Sequence, residues 1–185
     1  KAGVDPRGRE GSYSAAPGRI ELRLMSATLS QEKVDEAAAA GLSLIGDFVY
    51  AEDRSAMEDV VGRLLAQQKA TLATAESCTG GLIGHRITAI SGSSSYFLGG
   101  VIAYSNDVKI RELSVKPDAI RQHGAVSEEV ALQMAAGVRS TFGSDFGLAV
   151  TGIAGPTGGT PEKPVGLVYA AVADKNGAWV RRFQF

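Results

Sequence analysis

The stretch "ATAESCTGGLIG", Ala73–Gly84, decides how this chain is read. An apolar run stops at a carboxylate, a hydroxyl, a thiol and a second hydroxyl, and a pair of glycines follows. Run and polar stop together predict a short buried strand, "ATLATA", that turns directly into a helix from Thr79 to about Ile90. In an open α/β sheet, ligands bind beyond the carboxyl ends of the strands. Glu76, Ser77, Cys78, Thr79 and Gly80 are therefore placed where a site would be. At a helix start Ser77 meets unpaired N–H groups and the positive end of the macrodipole, which can hold an oxyanion or a phosphate. The same residues also make an ordinary helix start with Ser77 or Thr79 as N-cap, and the local pattern by itself favours that reading.

Working outward, "RSAMEDVVGRLLAQQ" precedes the strand. Its Ser55 and Glu58 have capping-box spacing, and Met57, Val60, Val61, Leu64 and Leu65 fall on one helical face. After it, "YFLGGVIAYS" reads as a second strand and "SEEVALQMAAGVRSTF" as a helix facing inward through Val130, Met134 and Val138. "FGLAV" reads as a third, short and fully apolar strand. "VGLVYAAVADKNGAWVRRFQF" reads as a hairpin turning at Asn176-Gly177. Strands alternating with helices predict a three-layer α/β/α domain over residues 54–185, with a mainly parallel sheet made mixed by the final hairpin. Residues 1–53 read differently. Lys1–Gly18 is rich in Gly, Pro, Ser and charge and predicts a loop or disordered lead-in. "RIELRLM" alternates like a strand, "SQEKVDEAAAAGL" predicts a helix with Ser30 at its N-cap, and "FVYAED" reads as a short strand and turn. Together these form a partial small α+β segment.

The 185 residues carry 19 basic and 20 acidic side chains, for a net charge of −1. No basic stripe stands out, so nucleic acid is not an expected partner. No apolar run reaches membrane-span length, so no membrane is expected. The single cysteine allows no internal disulfide and no cysteine zinc cluster, which fits a cytoplasmic protein.

Three strand ends carry polar or glycine-rich sequence, and parallel strands would bring them to one edge. The first is Glu76–Gly81. The second is Tyr104-Ser105-Asn106-Asp107, with Lys109 close behind. The third is "TGIAGPTGGTPEKP", Thr151–Pro164, whose four glycines within Thr151–Gly159 supply N–H groups able to cradle a phosphate. The base for a Ser77 nucleophile is not an obvious histidine. His85 lies about 12 Å of helical rise away, and His123 has no predicted route to the site. Lys109 acts as a base only when neutral, which desolvation would bring about; pattern alone favours a solvated lysine. Cys78 competes with Ser77 as nucleophile, since thiolates are favoured at helix starts, against the more usual lot of a buried structural cysteine.

The segments "TLATAESCTGGLIGHRITAISGSSSYFLGGVIAYSNDVKIRELSV", "HGAVSEEVALQMA" and "GLAVTGIAGPTGGTPEKPVGLVYAAVAD" together resemble the CinA C-terminal domain, the nicotinamide mononucleotide deamidase family, from about Arg54 to Phe185. Lys1–Asp53 is similar to the small domain that precedes it in full-length CinA proteins. The resemblance implies hydrolysis of the carboxamide of nicotinamide mononucleotide to nicotinic acid mononucleotide and ammonia, without metal or organic cofactor, by a homo-oligomer. It puts Ser77 in the nucleophile role and Lys109 in that of the base, with Tyr104 and Thr151 in the same pocket. The residues expected to contact the nucleotide are Glu76, Cys78, Thr79, Gly80, Asn106, Thr151, Gly152, Gly155, Thr157 and Gly158. Family members continue past the final hairpin into a helix with an arginine near its start, which the sequence ending at Phe185 is expected to lack. The alternative is a non-catalytic nucleotide-binding or regulatory module, since such proteins are associated with competence and DNA damage.

Overall fold

A computed structural model gives the fold and describes residues 3–4, 10–16 and 19–185. The chain divides into two compact units, Lys1–Arg54 and Ser55–Phe185. In the first, three antiparallel strands, β1 (Gly3–Val4), β2 (Glu10–Ala16) and β3 (Arg19–Met25), pair in sequence order. Glu10–Ala16 is thus a strand where composition pointed to a loop. It pairs along its whole length with β3, the alternating "RIELRLM" segment, whose free edge accepts it. The rest of Lys1–Gly18 apart from β1 lies outside the described residues. Helix α1 (Gln31–Ile45) follows Ser30, which has extended backbone but gives no side-chain cap. The "FVYAED" strand does not form: Gly46–Phe48 is a 3-10 turn and the chain then runs on without pairing.

The second unit begins with α2 (Met57–Gln68), one residue later than the Ser55 cap would place it. Ala56 N–H donates to the Asp59 carboxylate at 2.9 Å, so the N3 half of a capping box forms one position along. Five strands follow: β4 (Leu72–Glu76), β5 (Phe97–Ile102), β6 (Phe146–Gly152), β7 (Leu167–Ala173) and β8 (Ala178–Gln184). Their order is β5-β4-β6-β7-β8. The first three are parallel, and β7 and β8 run antiparallel. Between them lie α3 (Leu82–Thr88), α4 (Asn106–Leu113), α5 (Pro117–His123) and α6 (Glu128–Phe142).

Strand alternation sends β4 side chains to two cores. Ala73 and Ala75 meet Val130, Met134 and Val138 of α6, all fully buried. Leu72 meets Leu65 of α2 and Ile87 of α3 on the other side. The layers are therefore α2 and α3, then the sheet, then α4 to α6. Small residues dominate the sheet's α6 side because the helix backbone comes close: a Cβ on Gly147 would stand 2.1 Å from the Ala135 carbonyl. On α2 only Val61 and Leu65 join the core, whereas Met57 and Leu64 remain exposed. The helical stripe is wider than the surface that covers it.

At the edge opposite the site, the Asp145 carboxylate accepts the N–H and the hydroxyl of Thr71, both at 2.8 Å, tying the starts of β4 and β6. These bonds hold the Asp145 carboxyl below the usual 3.8. Asp145→Asn is expected to lower the melting temperature by a few degrees at neutral pH, with a smaller difference in acid. The folded carboxyl titrates below the unfolded one, so its contribution is present above pH 3.8 and is lost as pH falls through the folded value. Thermal melts of both proteins across this range check it.

Candidate active site

The two sheet neighbours of β4 clamp Ser77. Ser77 N–H donates to the Val150 carbonyl at 2.9 Å, carrying the β4–β6 ladder one residue past the strand. On the other side, Ala103 N–H donates to the Glu76 carbonyl at 2.7 Å, extending the β4–β5 ladder. The chain leaving β5 turns at Ser105, whose hydroxyl accepts the Val108 N–H and caps α4. Lys109, one turn into α4, points back under the sheet edge. Its Nζ lies 3.0 Å from Ser77 Oγ, 2.6 Å from the Ala103 carbonyl and 3.4 Å from the Tyr104 carbonyl. Lys109 is 1% exposed and Ser77 8%. Burial pushes the Lys109 ammonium pKa down from 10.5. Ser77 and Lys109, 32 positions apart in sequence, thus meet at the strand edge.

Helix α3 starts at Leu82, later than the sequence suggests, so Ser77 is not at its mouth. Glu76 is the reason. Its carboxylate, 2% exposed, accepts the N–H groups of Gly81, Ile83 and Gly84 at 3.1, 3.0 and 2.8 Å. The helix donors expected for an oxyanion or phosphate are spent on this side chain. Gly81, at φ 101°, makes the left-handed turn that brings the chain over Glu76. Glu76→Gln keeps one acceptor oxygen and replaces the other by a donor facing main-chain N–H. The expected loss of unfolding free energy is about 1–3 kcal/mol, read as a lower urea midpoint.

The remaining expected residues fall into three groups. Cys78 is half-buried, and burial is the main influence raising its thiol pKa, which disfavours the thiolate. Its Sγ lies 3.0 Å from where a Cβ on Gly152 would be. The buried Thr79 hydroxyl has no hydrogen-bond partner among the described residues. Gly80 is exposed beside it. Tyr104 reaches Lys109 through its carbonyl, while the residue itself is 75% exposed, so its ring is at the rim rather than in an enclosed pocket. Asn106, first residue of α4, is exposed. Thr151 is fully buried and its hydroxyl donates to the Ala125 carbonyl at 3.0 Å, away from solvent. Gly155 is partly buried, and Thr157 and Gly158 are exposed in the loop after β6. His85 is exposed on α3, and His123 ends α5.

Two polar contacts were not legible beforehand. One is the Ala103 carbonyl, which any residue could supply and which therefore leaves no mark in sequence. The other is Lys163, whose ammonium donates to the carbonyls of His123 and Val126. A lone lysine within "TPEKP" was its only trace.

Residues 54–185 match the model of the CinA C-terminal domain. A CinA-like protein of Geobacter sp. (strain M21) is 51% identical over 174 residues, covering 94% of this chain and 42% of that protein. A CinA-like protein of Salinibacter ruber is 48% identical over 177 residues, covering 94% of the chain and 43% of its own length. The chain thus spans about two fifths of the curated relatives it matches. Among solved structures, competence/damage inducible protein CihA from Agrobacterium tumefaciens superposes with a TM-score of 0.68 at 41% identity, covering 69% of this chain and 78% of that one. A competence-damaged protein (CinA) superfamily protein from Escherichia coli gives 0.67 at 29% identity, covering 76% and 85%. By that match and those identities this chain belongs to the CinA family, its second unit being a CinA C-terminal domain.

Proposed function

We propose that the second unit is an amidohydrolase that converts nicotinamide mononucleotide to nicotinic acid mononucleotide and ammonia, with Ser77 as nucleophile and Lys109 as base. The observation that carries this reading is the buried contact between Lys109 Nζ and Ser77 Oγ, 3.0 Å apart. A neutral amine has two N–H bonds and one lone pair. Three oxygens surround Nζ, of which two, the carbonyls of Ala103 and Tyr104, can only accept. In the neutral form those carbonyls take the two N–H bonds and the lone pair faces the Ser77 hydroxyl, the one neighbour that can donate, whereas an ammonium would give its third N–H to Ser77 Oγ. Burial favours the uncharged amine this requires.

The chemistry follows from that arrangement. Lys109 takes the Ser77 proton as Oγ attacks the carboxamide carbon. The N–H groups of Cys78 and Thr79, which donate to no main-chain carbonyl among the described residues, are the nearest main-chain donors in sequence for the developing oxyanion. Lys109 then passes its proton to the departing nitrogen, and ammonia leaves an ester on Ser77. Water adds to the ester, giving a proton to Lys109, which returns it to Oγ as the acid departs. The Thr157 hydroxyl and the N–H groups of the Gly155–Gly159 stretch are the proposed holders of the ribose phosphate.

The test is incubation of the purified chain with nicotinamide mononucleotide, following ammonia and the acid product together. Equal amounts of both support the reading. Mononucleotide binding by calorimetry with neither product would instead identify a nucleotide-binding module.

A further inference from the structure

The loop after β6 has little packing of its own. Every residue from Pro156 to Glu162 is exposed. At its neck, Ile153 N–H donates to the Leu167 carbonyl and Gly166 N–H to the Ile153 carbonyl, both at 2.8 Å. Beyond the neck, Lys163 is the tether. Its Nζ donates to the Val126 carbonyl at 2.7 Å and to the carbonyl of His123, the last residue of α5. That carbonyl end of a helix is where a cation is favoured. Thr160 fixes the base of the lysine: Thr160 N–H donates to the Lys163 carbonyl at 2.8 Å, and Lys163 N–H to the Thr160 hydroxyl at 3.0 Å. Gly124, at φ 77°, makes room, since a Cβ there would stand 2.7 Å from Lys163 Nζ.

The other end of the loop is tied to the same turn. Thr151 donates to the Ala125 carbonyl. The carbonyls of His123, Ala125 and Val126 are thereby all taken by the two ends of one loop. Without Lys163 the loop keeps its neck and loses the brace on its exposed arm.

We propose that Lys163 is a positioning residue that sets affinity for the phosphate of the substrate, by bracing the glycine-rich loop against the α5–α6 turn. The inference rests on the amidohydrolase reading for its kinetic form, and on loop order alone for its binding form. Lys163→Met keeps the stem and removes the donors. It is expected to raise KM for nicotinamide mononucleotide about tenfold while kcat changes less than about twofold. Hydrolysis of nicotinamide riboside, which lacks the phosphate, is expected to be unchanged. Lys163→Arg, which retains charge and donors, is expected to recover part of the affinity. Amide hydrogen exchange across Ile153–Gly166 is expected to quicken in the methionine variant alone.

Equal losses on riboside and mononucleotide, a fall in kcat without a rise in KM, or unaltered KM would overturn the proposal. If the unsubstituted chain releases no ammonia, the amidohydrolase reading has failed, and calorimetry with nicotinamide mononucleotide then decides this one. Weaker binding by Lys163→Met supports the brace. Equal binding by both proteins, or none by the unsubstituted chain, removes it.

Discussion

Ser77→Ala is expected to cut ammonia release from nicotinamide mononucleotide by at least about 10³-fold, the scale on which removal of a covalent nucleophile acts. The substitution removes one oxygen from a position whose main chain is held on both sides. The bonds from Ser77 N–H to Val150 and from Ala103 N–H to the Glu76 carbonyl involve no side chain, so the strand edge is expected to stay in place. Affinity for the mononucleotide measured by calorimetry should therefore remain within about threefold, because no proposed phosphate contact is touched. Undiminished turnover would show that Ser77 is not the nucleophile and would direct attention to Cys78, whose raised thiol pKa argues against that role at neutral pH. Electrospray mass measurement of protein quenched during turnover adds a direct check, since an acyl group on the unsubstituted chain should be absent from the alanine variant.

Lys109→Met carries the second large effect. Methionine fills a similar volume without a lone pair, and the expected loss in kcat/KM is about 10²–10⁴-fold, the range of general acid–base catalysis. The pH profile of the unsubstituted chain has a definite sign. Only neutral Lys109 can accept the Ser77 proton, and burial lowers the pH at which it becomes neutral. Activity should rise with pH through a single step below 10.5, the value for an exposed lysine, and then level off. The variant's residual activity should lack that step. An identical profile in both proteins would remove Lys109 from the base role. Stability should follow the same sign. The unfolded chain holds the Lys109 proton to higher pH than the folded one, so between the folded value and 10.5 this group makes the fold more stable as pH rises. The methionine variant should lack this increment, which thermal melts across the range would show.

Much of the layered fold could be read from local pattern. The α6 face, Val130, Met134 and Val138, is fully buried as its spacing requires, and the hairpin turns at Asn176-Gly177 between β7 and β8. The α4 and α5 helices were not evident. "NDVKIREL" is short and polar, and it holds its shape through the Ser105 cap and its packing on α6 rather than through an apolar stripe. The α3 start was misplaced because Glu76 looked like a strand-end carboxylate facing a ligand, whereas it bends under the helix and takes its N–H groups. A carboxylate beside a glycine pair has the same local signature in both cases.

By itself the sequence determined which strands are parallel-type and buried, where the chain turns, and that three polar strand ends would share an edge. Those features depend on side-chain period and on turn chemistry, which act over a few residues. Only the tertiary structure decided that Lys109 is buried against Ser77, that Glu76 serves a helix, and that Lys163 reaches the carbonyl of His123, 40 residues away in sequence. Each of those depends on what surrounds a polar atom once water has been removed. That environment is assembled from distant segments, so no window of sequence contains it.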